Sequence, residues 1–337
     1  MSPTTGTAAI LRGDALHLPL PDESVDLIVT SPPYFGLRSY QDGGEHYAGQ
    51  IGSEATPAEF VDALIAATRE MVRVLKPSGS IWVNLGDKYS SGGRGTYDLD
   101  PGRREVASSR PQDGARPKSL LGVPWRYAIR CIDELGLILR EEVIWDKPNG
   151  LPESVTDRCA RKHETWFHFT VAPKYYACMD EIREPHIGGG HPGLGARHQR
   201  SGGVLAATRS NVAANPLGKL PGSVWTIATQ PLRVPVELNV QHFAAFPMAF
   251  PQRIIAGWCP PGGVVVDPFG GTGTAALVAK ALGRRGVSVD MSADYCRLAT
   301  WRTTNPDQLA KAAMQVKKPV KKVKPGDGQP QLDFGGA

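Results

Sequence analysis

Two short loops hold the residues whose types and spacing could do chemistry. The first is Ser31-Pro32-Pro33-Tyr34, which follows the apolar run Val25–Thr30. Successive prolines fix φ and restrict the residue before them, so this loop is rigid. Pro32 and Pro33 have no N–H to donate, which leaves their carbonyls as acceptors, and Ser31 adds a hydroxyl that also accepts. Tyr34 supplies a flat ring. Acceptors beside an aromatic platform suit a planar base bearing an exocyclic amine, stacked on Tyr34 with its N–H groups directed at Ser31 and the Pro32 carbonyl. A base inside a duplex must be flipped out before such a pocket can reach it. Taken alone, Ser-Pro-Pro is equally the sequence of a surface turn.

The second loop reads Asp267-Pro268-Phe269-Gly270-Gly271-Thr272-Gly273-Thr274, after Val264-Val265-Val266. Gly271 and Gly273 permit turns and close approaches that a Cβ would block. An Ala-rich, helix-prone stretch follows, so the loop opens a helix whose N-terminal N–H groups favour an anion. Gly-Lys-Ser/Thr is missing, which disfavours a phosphate loop for ATP, and the glycine spacing departs from G-x-G-x-x-G. Gly286-Val287-Ser288-Val289-Asp290 reads as a second short strand ending in an acid, placed to bind ribose hydroxyls. A nucleoside without pyrophosphate fits this arrangement.

Both loops end short β-branched runs, the mark of buried parallel strands. Ligands of open α/β sheets bind at the carboxyl ends of such strands, so the two loops are expected to face one crevice. The elements expected to position them are strands at 9–11 and 25–30, a helix at 57–75 opened by Thr56, Pro57 and Glu59, and a strand at 80–85. A helix near 125–135 and strands near 141–145 and 165–171 follow. Residues 88–118 are rich in Gly, Ser, Pro and Arg and read as a mobile loop, either a basic flap over DNA or a surface insertion. Residues 183–222 are rich in Gly, His and Arg, and Arg183, Arg197, Arg200 and Arg209 could reach phosphates or guanine edges. A last helix is expected around 293–303, and a disordered Lys/Pro-rich chain after Asn305.

Thr30-Ser31-Pro32-Pro33-Tyr34 together with residues 267–274 resembles the amino-methyltransferases of DNA. The catalytic motif precedes the cofactor motif, as in the permuted β group of that family. His242-Phe243-Ala244-Ala245-Phe246-Pro247 and Pro251-Gln252-Arg253-Ile254-Ile255 resemble the segment before the cofactor loop. Residues 142–149, Arg161-Lys162-His163-Glu164 and the turn Leu75-Lys76-Pro77-Ser78-Gly79-Ser80 resemble parts of the catalytic half. Gly13-Asp14 matches the place of a contact to the cofactor adenine. The resemblance implies an α/β, Rossmann-like methyltransferase fold: a mostly parallel sheet with helices on both faces, circularly permuted, with an inserted target-recognition region. It divides the chain into a catalytic half (1–149), a target-recognition region (150–235), a cofactor half (236–304) and a basic disordered tail (305–337). It implies methyl transfer from S-adenosyl-L-methionine to an exocyclic nitrogen of a flipped base in double-stranded DNA. Ser31, Pro32, Pro33 and Tyr34 would be catalytic. Asp14, Phe246, the eight residues from Asp267 to Thr274, and Asp290 would hold the cofactor. Serine at the first catalytic position favours cytosine N4, with adenine N6 as the alternative and a non-catalytic DNA-binding protein as a remoter one. A cognate restriction endonuclease is an expected partner. Cytosine C5 chemistry needs a Pro-Cys loop, whereas Cys259-Pro260-Pro261 has the reverse order and precedes the cofactor strand.

With 337 residues the chain can bury a full core. No signal pattern and no apolar run long enough for a membrane span is evident, which points to a cytoplasmic protein with no membrane partner. The five cysteines are scattered without a C-x-x-C pair, so no metal site or disulfide framework is expected, only buried reduced thiols. The formal charge of +5 comes largely from Lys311, Lys317, Lys318, Lys321, Lys322 and Lys324, leaving the body near neutral. These lysines are expected to contact phosphates without sequence preference. Beyond them, Gln329-Pro330-Gln331-Leu332-Asp333-Phe334 loosely resembles peptides that dock bacterial sliding clamps, with Leu332 and Phe334 as anchors.

Overall fold

The structure is a computed structural model. It describes residues 6–36, 41–42, 45–46, 50–90, 115–150, 152–185, 215–238, 240 and 245–316. Its frame is an eight-stranded sheet built from β1 (Thr7–Arg12), β2 (Val25–Thr30), β5 (Leu75–Leu85), β6 (Ile138–Asp146), β7 (His163–Thr170), β8 (Val224–Thr226), β9 (Val264–Asp267) and β10 (Arg285–Asp290). A separate two-stranded ladder joins β3 (Gln41–Asp42) to β4 (Glu45–His46). The main strand order is β1-β10-β9-β2-β5-β7-β6-β8, and every neighbouring pair is parallel except the two made by β7. β9 and β2 are therefore neighbours although 237 positions separate Thr30 from Asp267. The expected α/β sheet, mostly parallel, is the one observed.

The α-helices among the described residues are α1 (Pro57–Val74), α2 (Val123–Leu135), α3 (Ala249–Trp258), α4 (Thr274–Ala281), α5 (Ala293–Thr304) and α6 (Pro306–Val316). α1 starts where its sequence signals it. The Thr56 hydroxyl accepts from the Glu59 N–H at 3.2 Å, the Glu59 carboxylate accepts from the Thr56 N–H at 3.0 Å, and Pro57 takes the first turn. Phe60, Val61, Leu64, Ile65 and Met71 recur at helical spacing, and that stripe is buried with α2 against one face of the sheet. Each such side chain contributes roughly 1.5–3 kcal/mol by leaving water. The opposite face packs under α3 and α4 around Trp82, Trp145, Trp166, Trp225, Trp258 and Phe250. His168 is buried in that aromatic layer, stacked 4.5 Å from Trp82, and burial pushes its imidazole down to about 3.

Several boundaries differ from the sequence reading. The turn at Leu75–Ser80 belongs to β5 as a bulge: Leu75 pairs with Val25 and Ser80 with Leu27, so the residues between loop out of register. A Cβ on Gly79 would lie 2.9 Å from the Asp26 backbone carbonyl oxygen, so a larger residue would crowd this bulge. Within residues 150–235, β7 lies between β5 and β6 and β8 extends the sheet from β6, so the main sheet runs on through this stretch. β7 turns antiparallel because the chain comes straight back from β6 without a crossover helix. Nor is the chain after Asn305 disordered throughout: α6 buries Ala312, whose carbonyl accepts from Gln252 Nε2 at 2.8 Å. The lysine-rich composition begins after this helix and obscured its apolar residues. The thiols are not uniformly buried either, since Cys159 is exposed and Cys178 and Cys296 are half-buried. Most of the expected loop at 88–118 lies outside the described residues. Its ends are clasped, Ser90 N–H donating to the Ser119 carbonyl at 2.7 Å. No helix among the described residues is long and apolar enough to cross a membrane. Residues 317–337, including the lysine cluster and the Gln-Pro-Gln-Leu-Asp-Phe peptide, lie outside the described residues.

Candidate active site

The glycine loop is built largely by backbone. Gly271 and Gly273 take φ of +47° and +70°, and Gly273 leads directly into α4. A Cβ on Gly270 would fall 1.8 Å from Ser288 Oγ, and one on Gly273 2.8 Å from the Ala299 Cβ. Those two glycines let the loop lie flat on β10 and α5. Asp290, at the end of β10, accepts from the Gly271 N–H at 2.8 Å and the Ser292 N–H at 2.9 Å. Its carboxylate thereby holds the loop to the end of β10. The Gly13 N–H donates to the Asp290 carbonyl at 3.0 Å, which brings the Asp14 turn beside the same strand end. Asp14 itself accepts from the Leu16 N–H at 2.9 Å and closes that turn.

The two motifs meet through one bond. Thr30 Oγ1 donates to Asp267 Oδ1 at 2.6 Å, and Phe269 N–H donates to the same oxygen at 3.1 Å. Both side chains are buried, and burial raises the Asp267 carboxyl from 3.8 to about 7, with the charge of Asp290 adding to the rise. Thr30 is the residue before Ser31, so this bond sets the separation between the starts of the two loops.

Tyr34 is fixed from three other strands or their ends. Its hydroxyl donates to Glu164 Oε2 on β7 at 2.7 Å, and Asn84 Nδ2 on β5 donates to the Tyr34 oxygen at 2.9 Å. Asn84 Nδ2 also lies 2.9 Å from Glu164 Oε2 and 3.5 Å from Ser31 Oγ. The other Glu164 oxygen pairs with the Lys147 ammonium, just past β6, and that ammonium sits 4.2 Å above the Trp145 ring. Gly86 leaves the ring its space: a Cβ there would be 2.6 Å from Tyr34 Cε2. The next residue, Asp87, accepts from the Gly122 and Val123 N–H groups at 3.0 and 3.2 Å and so caps α2 from outside it. β5 is thus pinned on both sides of the tyrosine.

The structure brings together Ser31, Pro32, Pro33 and Tyr34 with the loop from Asp267 to Thr274, and Asp14 with Asp290. Phe246 packs edge-on against Trp166 with centroids 5.6 Å apart, two positions along β7 from Glu164. Arg183 is engaged within the protein. It pairs with Asp180 at 2.5 Å and donates to the Gly218 carbonyl at 2.9 Å, bracing its own segment. Arg197, Arg200 and Arg209 lie outside the described residues. Sequence reasoning gave Asn84 and Gly86 no role, and quoted Lys147 and Glu164 only as parts of longer stretches. A polar Asn in the otherwise apolar run Ile81–Leu85 was the one local signal for the first of them.

A sheet of this order, with a glycine loop on one central strand and a Ser-Pro-Pro-Tyr loop on its neighbour, defines an α/β group-transfer enzyme of the methyltransferase architecture. The N6/N4 DNA methylase family model matches residues 25–300. The chain belongs to that family of S-adenosylmethionine-dependent DNA amino-methyltransferases. It is 37% identical over 298 residues to the Type II methyltransferase M.SmaI of Serratia marcescens, covering 87% of this chain and 89% of the relative. With M.Cfr9I of Citrobacter freundii it shares 35% over 305 residues, 89% of each. Among solved structures, the PvuII DNA methyltransferase, described as cytosine-N4-specific, superposes with a TM-score of 0.61 at 21% identity over 93% of both chains. A putative DNA modification methylase from Thermus thermophilus, solved with S-adenosyl-L-methionine, gives 0.53 at 20% identity over 91% of this chain and 95% of that one.

Proposed function

We propose that the protein is a site-specific DNA methyltransferase that transfers a methyl group from S-adenosyl-L-methionine to N4 of a cytosine flipped out of duplex DNA. The observation that carries this reading is the Thr30–Asp267 bond, which holds a Ser-Pro-Pro-Tyr loop beside a glycine-loop cofactor cradle. The cradle suits the cofactor. Its glycines leave room that side chains would fill, its helix start has no side-chain cap, and Asp267 is a buried carboxyl with no cationic partner among the described residues. When bound, the cofactor supplies an electrophilic methyl group on a sulfonium. Residues Asp267, Pro268, Phe269, Gly270, Gly271, Thr272, Gly273 and Thr274 would line it, with Asp290 at the ribose and Asp14 and Phe246 toward the adenine.

The lone pair of an exocyclic amine is conjugated into its ring and is a poor nucleophile. Ser31 Oγ and the Pro32 carbonyl accept its N–H groups and draw the nitrogen toward tetrahedral geometry, which frees the lone pair. Tyr34 stacks under the base. Its hydroxyl, tied to Glu164 and Asn84, removes the ring's freedom before the base arrives, so orientation is set in advance. Methylation would leave the nitrogen with one proton too many, and the Ser31 hydroxyl, which accepts that N–H, would pass it on to solvent. Serine at position 31 and the cytosine-N4 description of the PvuII enzyme favour cytosine over adenine. The Type II names of the relatives favour a partner restriction endonuclease.

Incubation with duplex DNA and cofactor, then nucleoside mass spectrometry, tests this. N4-methylcytosine is expected, and N6-methyladenine alone would overturn the cytosine reading. Stacking on an aromatic is worth about 1–3 kcal/mol per base, so Tyr34→Ala should cost from about fivefold to more than a hundredfold in turnover. Cofactor binding should persist in that variant. Undiminished turnover would remove Tyr34 from the base pocket.

A further inference from the structure

Arg302 of α5 is a buried cation lying behind the glycine loop. Its side chain is among the largest that are fully enclosed, with 2% of the residue exposed. Among the described residues its hydrogen bonds all come from one nitrogen, Nη1: to the Thr272 carbonyl at 3.0 Å, Thr272 Oγ1 at 2.6 Å and Thr274 Oγ1 at 2.8 Å. The two threonine hydroxyls lie 3.1 Å from each other. Nε is buried with no partner, and among the described residues no carboxylate pairs with the guanidinium. Burial alone lowers its pKa to about 10, so the group stays charged at neutral pH.

Such an arrangement is a poor stabiliser. A buried charge needs a counterion and full hydrogen bonding to offset its desolvation, and an apolar side chain of similar volume often serves stability as well or better. What the guanidinium does supply is geometric. It gathers three acceptors from two residues that flank Gly273, at the place where the loop turns into α4. With the inward-facing oxygens engaged by Arg302, and Gly271 N–H engaged by Asp290 from the other side, the loop is held between two charged side chains.

We infer that Arg302 is a positioning residue for the cofactor: through Thr272 and Thr274 it holds the glycine loop in the conformation that binds S-adenosyl-L-methionine. Arg302 does not itself touch the reacting atoms, so its effect belongs to cofactor affinity and not to the methyl-transfer step. This inference rests on assigning the cofactor to residues 267–274.

The test is calorimetric and kinetic, on the full-length enzyme with duplex DNA. Arg302→Met, which keeps length and removes charge and bonds, should raise the cofactor Kd and KM at least tenfold. Turnover at saturating cofactor should stay within about twofold of wild type, a split that a merely structural defect would not produce. Arg302→Lys, which can still donate to the same oxygens, should recover part of the affinity. Thr272→Val combined with Arg302→Met should cost little more than Arg302→Met alone, because the bond that the valine removes is already lost with the guanidinium. Wild-type cofactor affinity in folded Arg302→Met would overturn the inference. So would equal losses in turnover and affinity, or strictly additive effects with Thr272→Val. If Arg302→Met fails to fold, the Thr272→Val and Arg302→Lys affinities decide the matter, and wild-type values in both would overturn it. Gly270→Ala separates the premise from the inference. Unchanged affinity there would show that the loop is not the cofactor site, whereas its loss beside an unaffected Arg302→Met would sink only the role of Arg302.

Discussion

The cofactor loop and the catalytic loop leave adjacent parallel strands, β9 and β2, yet they are held by different means. The cofactor loop takes its shape from its own backbone and is braced only by side chains close to it in sequence, Asp290 and Arg302. Three glycines, a short strand before it, a helix after it and the strand beginning at Arg285 form a compact, nearly contiguous unit. The catalytic loop is short and stiff, but the ring that makes it useful is fixed by side chains from far along the chain. Asn84 and Glu164 reach Tyr34 from sequence separations of 50 and 130 residues. A backbone-built site is sterically defined and should fail abruptly when filled. A site braced by side chains should fail by degrees.

The sharpest test of the first half is Gly270→Ala. Its new Cβ would stand 1.8 Å from Ser288 Oγ and 3.0 Å from Ser288 Cβ, so the crowding persists even when the hydroxyl rotates away. Cofactor binding should fall below detection by calorimetry while Tyr34, on the other loop, remains able to bind base. Pairing it with Ser288→Gly removes the opposing oxygen and should restore measurable binding. Failure of the double variant to recover any affinity would mean that the loop's shape depends on more than this contact.

The same contrast explains what was legible from sequence. Val264–Asp267 with its glycines and the acid at 290 could be read because strand, loop, helix and strand follow one another within about thirty residues, which the glycine spacing and β-branched runs report directly. The sheet's parallel core and the α1 capping box were visible for the same reason. β7 was harder to place, since its position between β5 and β6 is a pairing between distant segments that no local period encodes. Glu164 and Asn84 were invisible as a pair because nothing in either neighbourhood names the other. Arg302 sat in an expected helix, but its inward direction depends on how α5 packs. The α6 segment was missed because the composition after it dominated the reading of that end of the chain.

Asp267 belongs to both halves, and its titration measures the joint between them. The folded carboxyl holds its proton up to about 7, against 3.8 as the ordinary value. Folding therefore gains most from this group below the unfolded value, and that gain is lost as pH rises through the folded one. Between about pH 5 and about pH 8 the cofactor-free protein should lose on the order of 3 kcal/mol through this group. Asp267→Asn should flatten that part of the profile in denaturant melts. An unaltered pH profile in the variant would show that Asp267 is ionised throughout and that the joint is an ordinary charged hydrogen bond.

The smallest expected effect tests whether the catalytic side fails by degrees. Glu164→Gln preserves shape and leaves an oxygen to accept from Tyr34, but it removes the charge that faces Lys147. Hydrogen bonds to charged groups contribute about 1.5–3 kcal/mol, and both partners here are mostly but not wholly buried, so a stability loss of about 2 kcal/mol is expected. Tyr34 keeps its bond from Asn84, so the ring loosens without being freed. Turnover should drop by about tenfold or less, equivalent to about 1.4 kcal/mol in the barrier. The cofactor KM should not move, because among the described residues the partners of Glu164 are Tyr34, Asn84 and Lys147, none of them on the glycine loop. Steady-state kinetics with the cofactor varied at saturating DNA separates the two quantities. A KM that rises in step with the loss of turnover would mean that the two loops are held as one unit, and the contrast between them would no longer stand.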